Sequence, residues 1–391
     1  MRFFSAFTTL LIAGSIGCQS DKDIEPADCL VRASSRNGAI IEDSYIVTYK
    51  PAETLPATTD PNARVGSAVQ RFLTSHAIEA AQPEILFSAE KTAFVAHINK
   101  DQAAELRQDP SVELVEPDRI ISLCSCVDLQ ATTTLSWNVK ATGYGRGDIQ
   151  KGKTVWVLDT GVDLDHPDLN IDTDRSRSYV TGKTVEDENG HGTHVAGIIG
   201  ALNNNIGITG VASGANLVAL KILDNEGEGK LSTMIQAVSY VNQNGKAGDV
   251  VNISIGGEGY SSSLERVVKA AADKGILFAI AAGNESKSAS DYSPASINHP
   301  NVFTVSAMDQ NDTFASFSNY GPDVDICAYG VRIRSTYKNG QYATLSGTSM
   351  AAPHVAGLLY IRGAAIPTRG PVKNDPDGSP DPMAGEATFT N

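Results

Sequence analysis

The apolar positions of this chain keep three different rhythms along its length. Phe3–Ile16 is one mostly apolar run behind Arg2, and small residues lead from it into Cys18. A cation, a short apolar stretch and small residues predict an export signal over residues 1–17. The run is short for a membrane-spanning helix, and no later run reaches that length. Residues 18–43 are polar, lack a period, and read as a linker. From residue 44 the pattern switches between period two and period 3.6. Ser44–Lys50 predicts a strand, Ala68–Ile78 a helix, and Glu84–Ser88 and Thr92–Ile98 two strands joined by Ala89-Glu90-Lys91. Asp101–Gln108 predicts a helix with Asp101 as its N-cap, and Val112–Glu116 a last strand. The order β-α-β-β-α-β over residues 44–122 is that of the ferredoxin-like split unit.

The third rhythm begins at Thr154, where short β-branched runs alternate with helical stretches rich in small residues. Strands are predicted at Thr154–Leu158, Leu217–Ile222, Val250–Ile255, Ile276–Ala281 and Val302–Ser306. Helices are predicted at His191–Leu202, Leu231–Asn244, Ser262–Lys274 and Ser349–Gly363. Strands that are apolar on both faces imply a parallel sheet covered by helices on each side. The expected fold class is α/β, with a mostly parallel central sheet over residues 130–366 and a small α+β unit before it. Such sheets carry their chemistry at the carboxyl ends of the strands, and Asp159 and Asn284 both stand just past a predicted strand end. After Pro367 the chain is rich in Pro, Asp and Gly, and a disordered tail is expected over residues 367–391.

Composition narrows the class further. The 391 residues suffice for two or three units, and 45 acidic against 31 basic residues give a net charge of −14 with no basic run, which excludes nucleic-acid binding. Five cysteines are too few to form a disulfide scaffold. Cys29, Cys124, Cys126 and Cys327 allow three full pairings.

Three strings carry the candidate chemistry. They read V-W-V-L-D-T-G around Asp159, N-G-H-G-T-H-V-A-G around His191 and G-T-S-M-A-A-P-H around Ser349. A serine hydroxyl is a weak nucleophile at neutral pH. It needs an imidazole to take its proton and a carboxylate to orient that imidazole and stabilise its cation. Asp-Thr-Gly also marks aspartic proteases, which need a second such carboxylate, and this chain has no second string. His191 and His194 lack the Glu and the i,i+4 spacing of the zinc protease motif. Ser349 stands where a loop turns into a helix, so the helix amino end favours developing negative charge. Gly190 and Gly192 flank His191, and Ala196, Gly197 and Gly200 allow its helix to pack closely. One imidazole suffices for this mechanism, so His194 reads as structural.

These strings resemble those of the subtilases, the subtilisin- and proteinase K-like serine endopeptidases, over about Thr154–Gly357. Further matching strings are A-L-N-N-N-I-G-I-T-G-V-A (201–212), N-I-S-I-G-G (252–257), A-I-A-A-G-N (279–284), F-S-N-Y-G (317–321) and S-G-T-S-M-A-A-P-H-V-A-G (346–357). The resemblance implies Ser349 as nucleophile, His191 as general base and then acid, Asp159 as its orienting carboxylate, and an acyl-enzyme. It puts the Asn284 side-chain amide and the Ser349 backbone N–H on the oxyanion. It implies two edge segments that hold an extended polypeptide substrate, Ser254-Ile255-Gly256 and Gly227-Glu228-Gly229, with Ala281, Ala282 and Gly283 beside them. Backbone recognition of this kind gives broad specificity.

The same resemblance implies structural calcium and no catalytic cofactor. Leu202–Ile208 matches the strong calcium loop of subtilisins, with Asp168 and Asn204 as side-chain ligands and Leu202, Ile206 and Ile208 as carbonyl ligands. Gln130 would complete that set. A second site of the proteinase K type would use Asp325 with the carbonyls of Pro300 and Val302. The unit over residues 44–122 resembles the subtilase prodomain, an intramolecular chaperone and inhibitor, so a monomeric, self-processing zymogen is expected. Ser15-Ile16-Gly17-Cys18 resembles a bacterial lipobox, except that Ser15 stands where Leu is usual. Lipid on Cys18 would be the only membrane contact, and the chain is expected to be exported, as a periplasmic or outer-membrane lipoprotein precursor or to the medium. Cleavage in Ile121–Gln130 would then free the peptidase from that anchor. Two other functions fit parts of the pattern. A non-catalytic, peptide-binding pseudoprotease is disfavoured by four intact catalytic positions. A transamidating subtilase needs water exclusion, and no capping insert is visible.

Overall fold

Two sheets of opposite character account for the second and third rhythms. The computed structural model describes residues 36–50, 61–78, 84–88, 91–123, 126–129, 136–145 and 152–386. The expected export signal, Cys18, Cys29, Cys124 and Gln130 lie outside the described residues.

The first unit runs β1 (Ile40–Tyr49), α1 (Pro61–Ser75), β2 (Glu84–Ser88), β3 (Thr92–His97), α2 (Lys100–Leu106) and β4 (Val112–Ser122). β1 lies between β3 and β4, antiparallel to both, and β2 pairs with the outer edge of β3. One face buries Tyr45, Val47 and Phe94 against Val69 and Leu73 of α1 and Ala103 and Leu106 of α2. Alternate residues Ile46, Ala93 and Val95 join the core of the second unit instead, as a period of two requires. Three sequence expectations shift. β1 begins at Ile40, where it pairs with Arg119, so the expected linker 18–43 ends earlier. β4 continues to Ser122 rather than stopping at Glu116. The N-cap of α2 is Asn99, whose side chain accepts from Gln102 N while Gln102 reaches back to Asn99 N, so the capping box displaces Asp101.

The second unit contains β5 (Cys126–Leu129), α3 (Trp137–Thr142), β6 (Val155–Asp159), β7 (Arg177–Ser178), α4 (His191–Gly200), β8 (Leu217–Lys221) and β9 (Glu228–Lys230). It continues through α5 (Leu231–Asn244), β10 (Val250–Ile253), β11 (Gly257–Glu258), α6 (Ser262–Asp273), β12 (Leu277–Ala281), β13 (Tyr292–Ser293) and β14 (Val302–Met308). β15 (Ile326–Tyr329), β16 (Ile333–Tyr337), β17 (Gln341–Ser346), α7 (Thr348–Arg362), β18 (Thr368–Pro371) and β19 (Pro382–Ala384) complete it. The main sheet has the order β18-β19-β15-β14-β12-β10-β6-β8-β7 and is parallel from β15 to β7. Val155 and Val157 of β6 pack in one core with α4 and α7, while Trp156 and Leu158 pack in the other with α5 and α6. The chain enters the middle of the sheet at β6, goes to β8, and crosses to β10. The reversal between β6 and β10 opens a crevice at their carboxyl ends. Asp159 ends β6, and Ser254 follows β10.

The expected disordered tail needs correction. β18 and β19 form an antiparallel hairpin, and Met383 of β19 pairs in parallel with Cys327 of β15. Burial of Val372, Met383 and Ala384 in the main core offsets the poor strand propensity of this Pro- and Asp-rich stretch. Likewise β5 pairs with β17, so residues 126–129 belong to the second unit. Cys327 is a fully buried free thiol, so none of the full cysteine pairings forms.

Candidate active site

The crevice gathers the three strings. Asp159 is fully buried, and its Oδ1 accepts from Thr160 N at 2.7 Å and from His191 Nδ1 at 2.8 Å. His191 opens α4 behind Gly190, whose φ of 113° turns the chain into the helix. At Gly192 a methyl group would run into the Gly161 carbonyl oxygen, so only glycine lets α4 approach β6 this closely. Because Asp159 only accepts, the His191 proton sits on Nδ1. Its Nε2 is buried with no partner.

Ser349 is the second residue of α7. Its hydroxyl donates to Ser254 O at 2.8 Å rather than to His191, and Ser254 Oγ donates back to Ser349 O at 2.9 Å. Asn284 follows β12, and its Oδ1 accepts from Thr348 N at 2.8 Å and from Thr348 Oγ1 at 2.9 Å. Ser254, Ile255, Gly256, Ala281, Ala282, Gly283, Asn284 and Ser349 line one pocket, together with Glu285, Tyr292, Ala295 and Thr348.

The two expected edges embrace the chain's own strand. β4 pairs antiparallel with β9, placing Ile120, Ile121 and Ser122 opposite Lys230, Gly229 and Glu228. Leu123 N donates to Gly227 O at 3.3 Å, and Ser122 N reaches Gly256 O on the other side at 3.5 Å. Upstream on β4, Asp118 accepts from Ser232 N and Oγ at 3.1 and 2.7 Å. Glu116 accepts from Ser263 N at 3.2 Å and Ser261 Oγ at 3.1 Å. Two carboxylates of the first unit thus complement the amino ends of α5 and α6.

Several residues that sequence reasoning missed hold this arrangement. Asp187 accepts from Thr160 Oγ1 (2.8 Å), Gly190 N (2.8 Å), Asn189 N (3.1 Å), Thr193 N (2.9 Å) and Thr193 Oγ1 (2.5 Å). It ties the end of β6 to the start of α4, and stands four residues before His191, the one local clue. Lys221 is fully buried, donates to Thr160 O, and has its pKa lowered by burial against the opposing pull of Asp187. Glu285 carries a pKa raised by burial, with Oε2 accepting from Asn284 N and Asn319 Nδ2, both at 2.9 Å. His194 donates Nε2–H toward Ile333 O and Ala343 O at 3.0 and 3.1 Å, away from the crevice.

Leu202–Ile208 wraps Asp168. Asp168 Oδ2 accepts from Ile208 N at 3.0 Å and Tyr342 OH at 3.2 Å, its backbone O accepts from Leu202 N at 2.8 Å, and Oδ1 is buried with no partner. Asn204 spans the loop, donating to Pro167 O at 3.3 Å and accepting from Ile206 N at 3.1 Å. No group of three or more His, Cys, Asp or Glu among the described residues is placed to hold a metal. One carboxylate with an orphaned oxygen amid amide and carbonyl groups fits a hard cation such as calcium. At the other expected site, Asp325 Oδ2 accepts from Thr304 N at 2.8 Å, and burial pushes the carboxyl pKa up to about 6. Val302 lies two residues back from Thr304, at the start of β14, and no orphaned oxygen marks Asp325.

A carboxylate–imidazole pair beside a serine at a helix amino end, on a parallel α/β sheet, defines the class as a serine hydrolase. The subtilase family model matches residues 150–368, and the peptidase inhibitor I9 model matches residues 44–123. A thermostable alkaline protease of Halalkalibacterium halodurans is 39% identical over 278 residues, 70% of this chain and 73% of its own. Subtilisin BL of Lederbergia lenta is 46% identical over 219 residues, 56% of this chain and 78% of its own. The crystal structure of a cold adapted subtilisin-like serine proteinase superposes with a TM-score of 0.53 at 33% identity, covering 67% of this chain and 96% of that one. The chain belongs to the subtilase family: it is a serine endopeptidase precursor with an inhibitor prodomain.

Proposed function

We propose that this precursor cleaves itself and then hydrolyses internal peptide bonds of other polypeptides, using Asp159, His191 and Ser349 as its triad. The observation that carries this is the buried His191–Asp159 pair, 2.8 Å apart, with the Nε2 lone pair unpartnered. In the reaction the Ser349 hydroxyl leaves Ser254 O and donates to that lone pair. The Ser349 oxygen adds to the scissile carbonyl as His191 takes its proton, and Asp159 stabilises the imidazolium. The Ser349 backbone N–H and the Asn284 NH2 hold the oxyanion. Collapse expels the amine, protonated by His191, and leaves an acyl-enzyme. Water, deprotonated by His191, then releases the acid and restores the serine.

The substrate strand would lie where β4 lies, held by backbone bonds from both edges, which supports broad specificity. Register also points to the self-cleavage site. Ser122 pairs with Gly256 in antiparallel sense, and Ser254, two residues from Gly256 on that rim, touches Ser349 through its carbonyl. We therefore assign processing to the Cys124–Ser125 bond. Calcium at Asp168, Asn204 and the carbonyls of Leu202, Ile206 and Ile208 would add stability without entering the chemistry. Asp325 with Pro300 and Val302 is the weaker second proposal.

The test is expression of the full chain beside Ser349→Ala, with casein as substrate and sequencing of the new N-terminus. Processed, casein-cleaving wild type beside an inert, unprocessed Ser349→Ala is expected. Processing in both, or casein cleavage in neither, would leave a peptide-binding pseudoprotease. Cyclised products would indicate transamidation.

A further inference from the structure

We propose that residues 36–39, ahead of the first prodomain strand, form a clasp that holds β4 in the substrate cleft and delays release of the mature enzyme. This rests on the reading of the chain as a self-processing zymogen. The segment precedes the part that resembles the I9 inhibitors, which begins at residue 44. It runs alongside β4 on the edge not taken by β9. Gly38 N donates to Ile120 O at 2.8 Å, Ile120 N donates to Ala39 O at 2.9 Å, and Arg119 Nη1 donates to Gly38 O at 2.9 Å.

From there it touches both rims of the cleft. Arg36 forms an ion pair with Glu228 of β9, on the far side of β4. Gly38, at φ 78°, lies so close to the near rim that a methyl group would sit 2.9 Å from Glu258 Cβ and 3.1 Å from its backbone N and O. Asn37 lines the same pocket as Ser349 and Asn284, and its Oδ1 is buried without a partner.

The consequence follows from connectivity. Before self-cleavage β4 is covalently continuous with the peptidase. After it, only non-covalent contacts keep the prodomain in place, and residence time depends on their sum. A segment bonded to β4 and touching both rims must let go before β4 can leave. Arg36 and Gly38 act on Glu228, Ile120 and Arg119, so changing them should leave the cleavage step as it is.

The experiment compares full-length wild type, Arg36→Ala, Arg36→Glu and Gly38→Val at equal concentration. Gel analysis gives the rate of self-cleavage, and size-exclusion chromatography and hydrolysis of a soluble peptide give the delay between cleavage and free activity. Self-cleavage should proceed at the wild-type rate. Arg36→Ala should shorten the delay by roughly two- to fivefold, the range of an exposed ion pair. Gly38→Val should shorten it by about fivefold or more, through strain at a positive φ against Glu258. High salt should shorten the wild-type delay more than that of Arg36→Ala, which keeps the Arg266–Glu113 pair between β4 and α6 to be screened. Should Gly38→Val fail to fold, the exposed Arg36 variants carry the test alone. Normal self-cleavage with an unchanged delay in both Arg36 variants overturns the clasp. Absence of self-cleavage in wild type overturns the zymogen reading on which it rests.

Discussion

At the residue scale the site depends on side chains whose own polar atoms are already committed. Asn284 is aimed because Thr348 fixes its oxygen. Asn284→Ala should fold, keep its KM within a few-fold, and lose roughly 100- to 1000-fold in kcat, the usual cost of one oxyanion donor. Unchanged turnover on a peptide substrate would remove Asn284 from the mechanism. Asp187 is the corresponding support for His191. Its five donors and the buried Lys221 nearby would all lose their anion in Asp187→Ala. A loss of about 3–5 kcal/mol is expected, as for breaking a buried charged network. Urea unfolding in a Ser349→Ala background, where autolysis cannot interfere, measures it. A loss below about 1 kcal/mol would mean that water replaces the carboxylate.

Elements add two predictions. The loop 202–208 exposes Ile206 and closes on a carboxylate with an orphaned oxygen, so an ion bound only by the native state should stabilise it. EDTA should lower the melting temperature and speed autolysis, and Asp168→Asn should remove most of the difference between EDTA and millimolar calcium. Equal melting of wild type in both would argue against either calcium site. In α7, His354 Nδ1 donates to Met350 O, so Nε2 must accept from Asn138 Nδ2, both at 2.8 Å. The ring is held neutral, its pKa lowered by burial to about 4. A histidine depressed in the fold contributes stability that is full above its unfolded pKa near 6.5 and is lost as pH falls toward 4. Burial of His194, pushed down to about 3, acts in the same direction. Asp325, raised to about 6, and Asp381, raised to about 7, act oppositely, contributing stability at low pH that fades as pH rises through those values. A comparison with His354→Gln isolates the histidine. The gap in unfolding free energy should shrink between pH 6.5 and 4.5 by up to about 1.4 kcal/mol per unit. A gap independent of pH would mean that His354 is not held neutral.

At the scale of the whole molecule, the prodomain is both a lid and a scaffold. Its outer sheet face completes one core of the peptidase through Ile46, Ala93 and Val95, and Asp118 and Glu116 cap α5 and α6 respectively. Cleavage after Cys124 would separate this body from the peptidase. If Cys18 carries lipid, the prodomain stays with the membrane and the peptidase leaves it. Fractionation of expressing cells should then find precursor in membranes and processed enzyme in the soluble fraction. Processed enzyme that stays membrane-bound under reducing conditions, or precursor without lipid on Cys18, would contradict this. A buried, unpaired Cys327 offers no disulfide to tether the peptidase from its core.

The sequence by itself determined the class of both sheets, because each kind of burial leaves its own period. Leu217–Leu220 and Leu277–Ala281 are buried on both faces and read as unbroken apolar runs, while β1 and β3 share their residues between two cores. Asp159, His191, Ser349 and Asn284 were legible because small-residue strings surround each of them. Tertiary structure decided what depends on distant partners. β4 runs on to Ser122 because β9, more than a hundred residues away, supplies its edge. The hairpin β18–β19 forms despite its prolines because β15 and the main core receive it. Lys221 and Thr348 act through hydrogen bonds to residues 61 and 64 positions away, and no local pattern announces them, while Asp187 joins its near neighbours to Thr160, 27 positions back. The clasp exists only where residues 36–39 meet both rims of a cleft built from β9 and β11. Periodicity records what a residue buries, whereas pairing across the fold is set by where the chain returns.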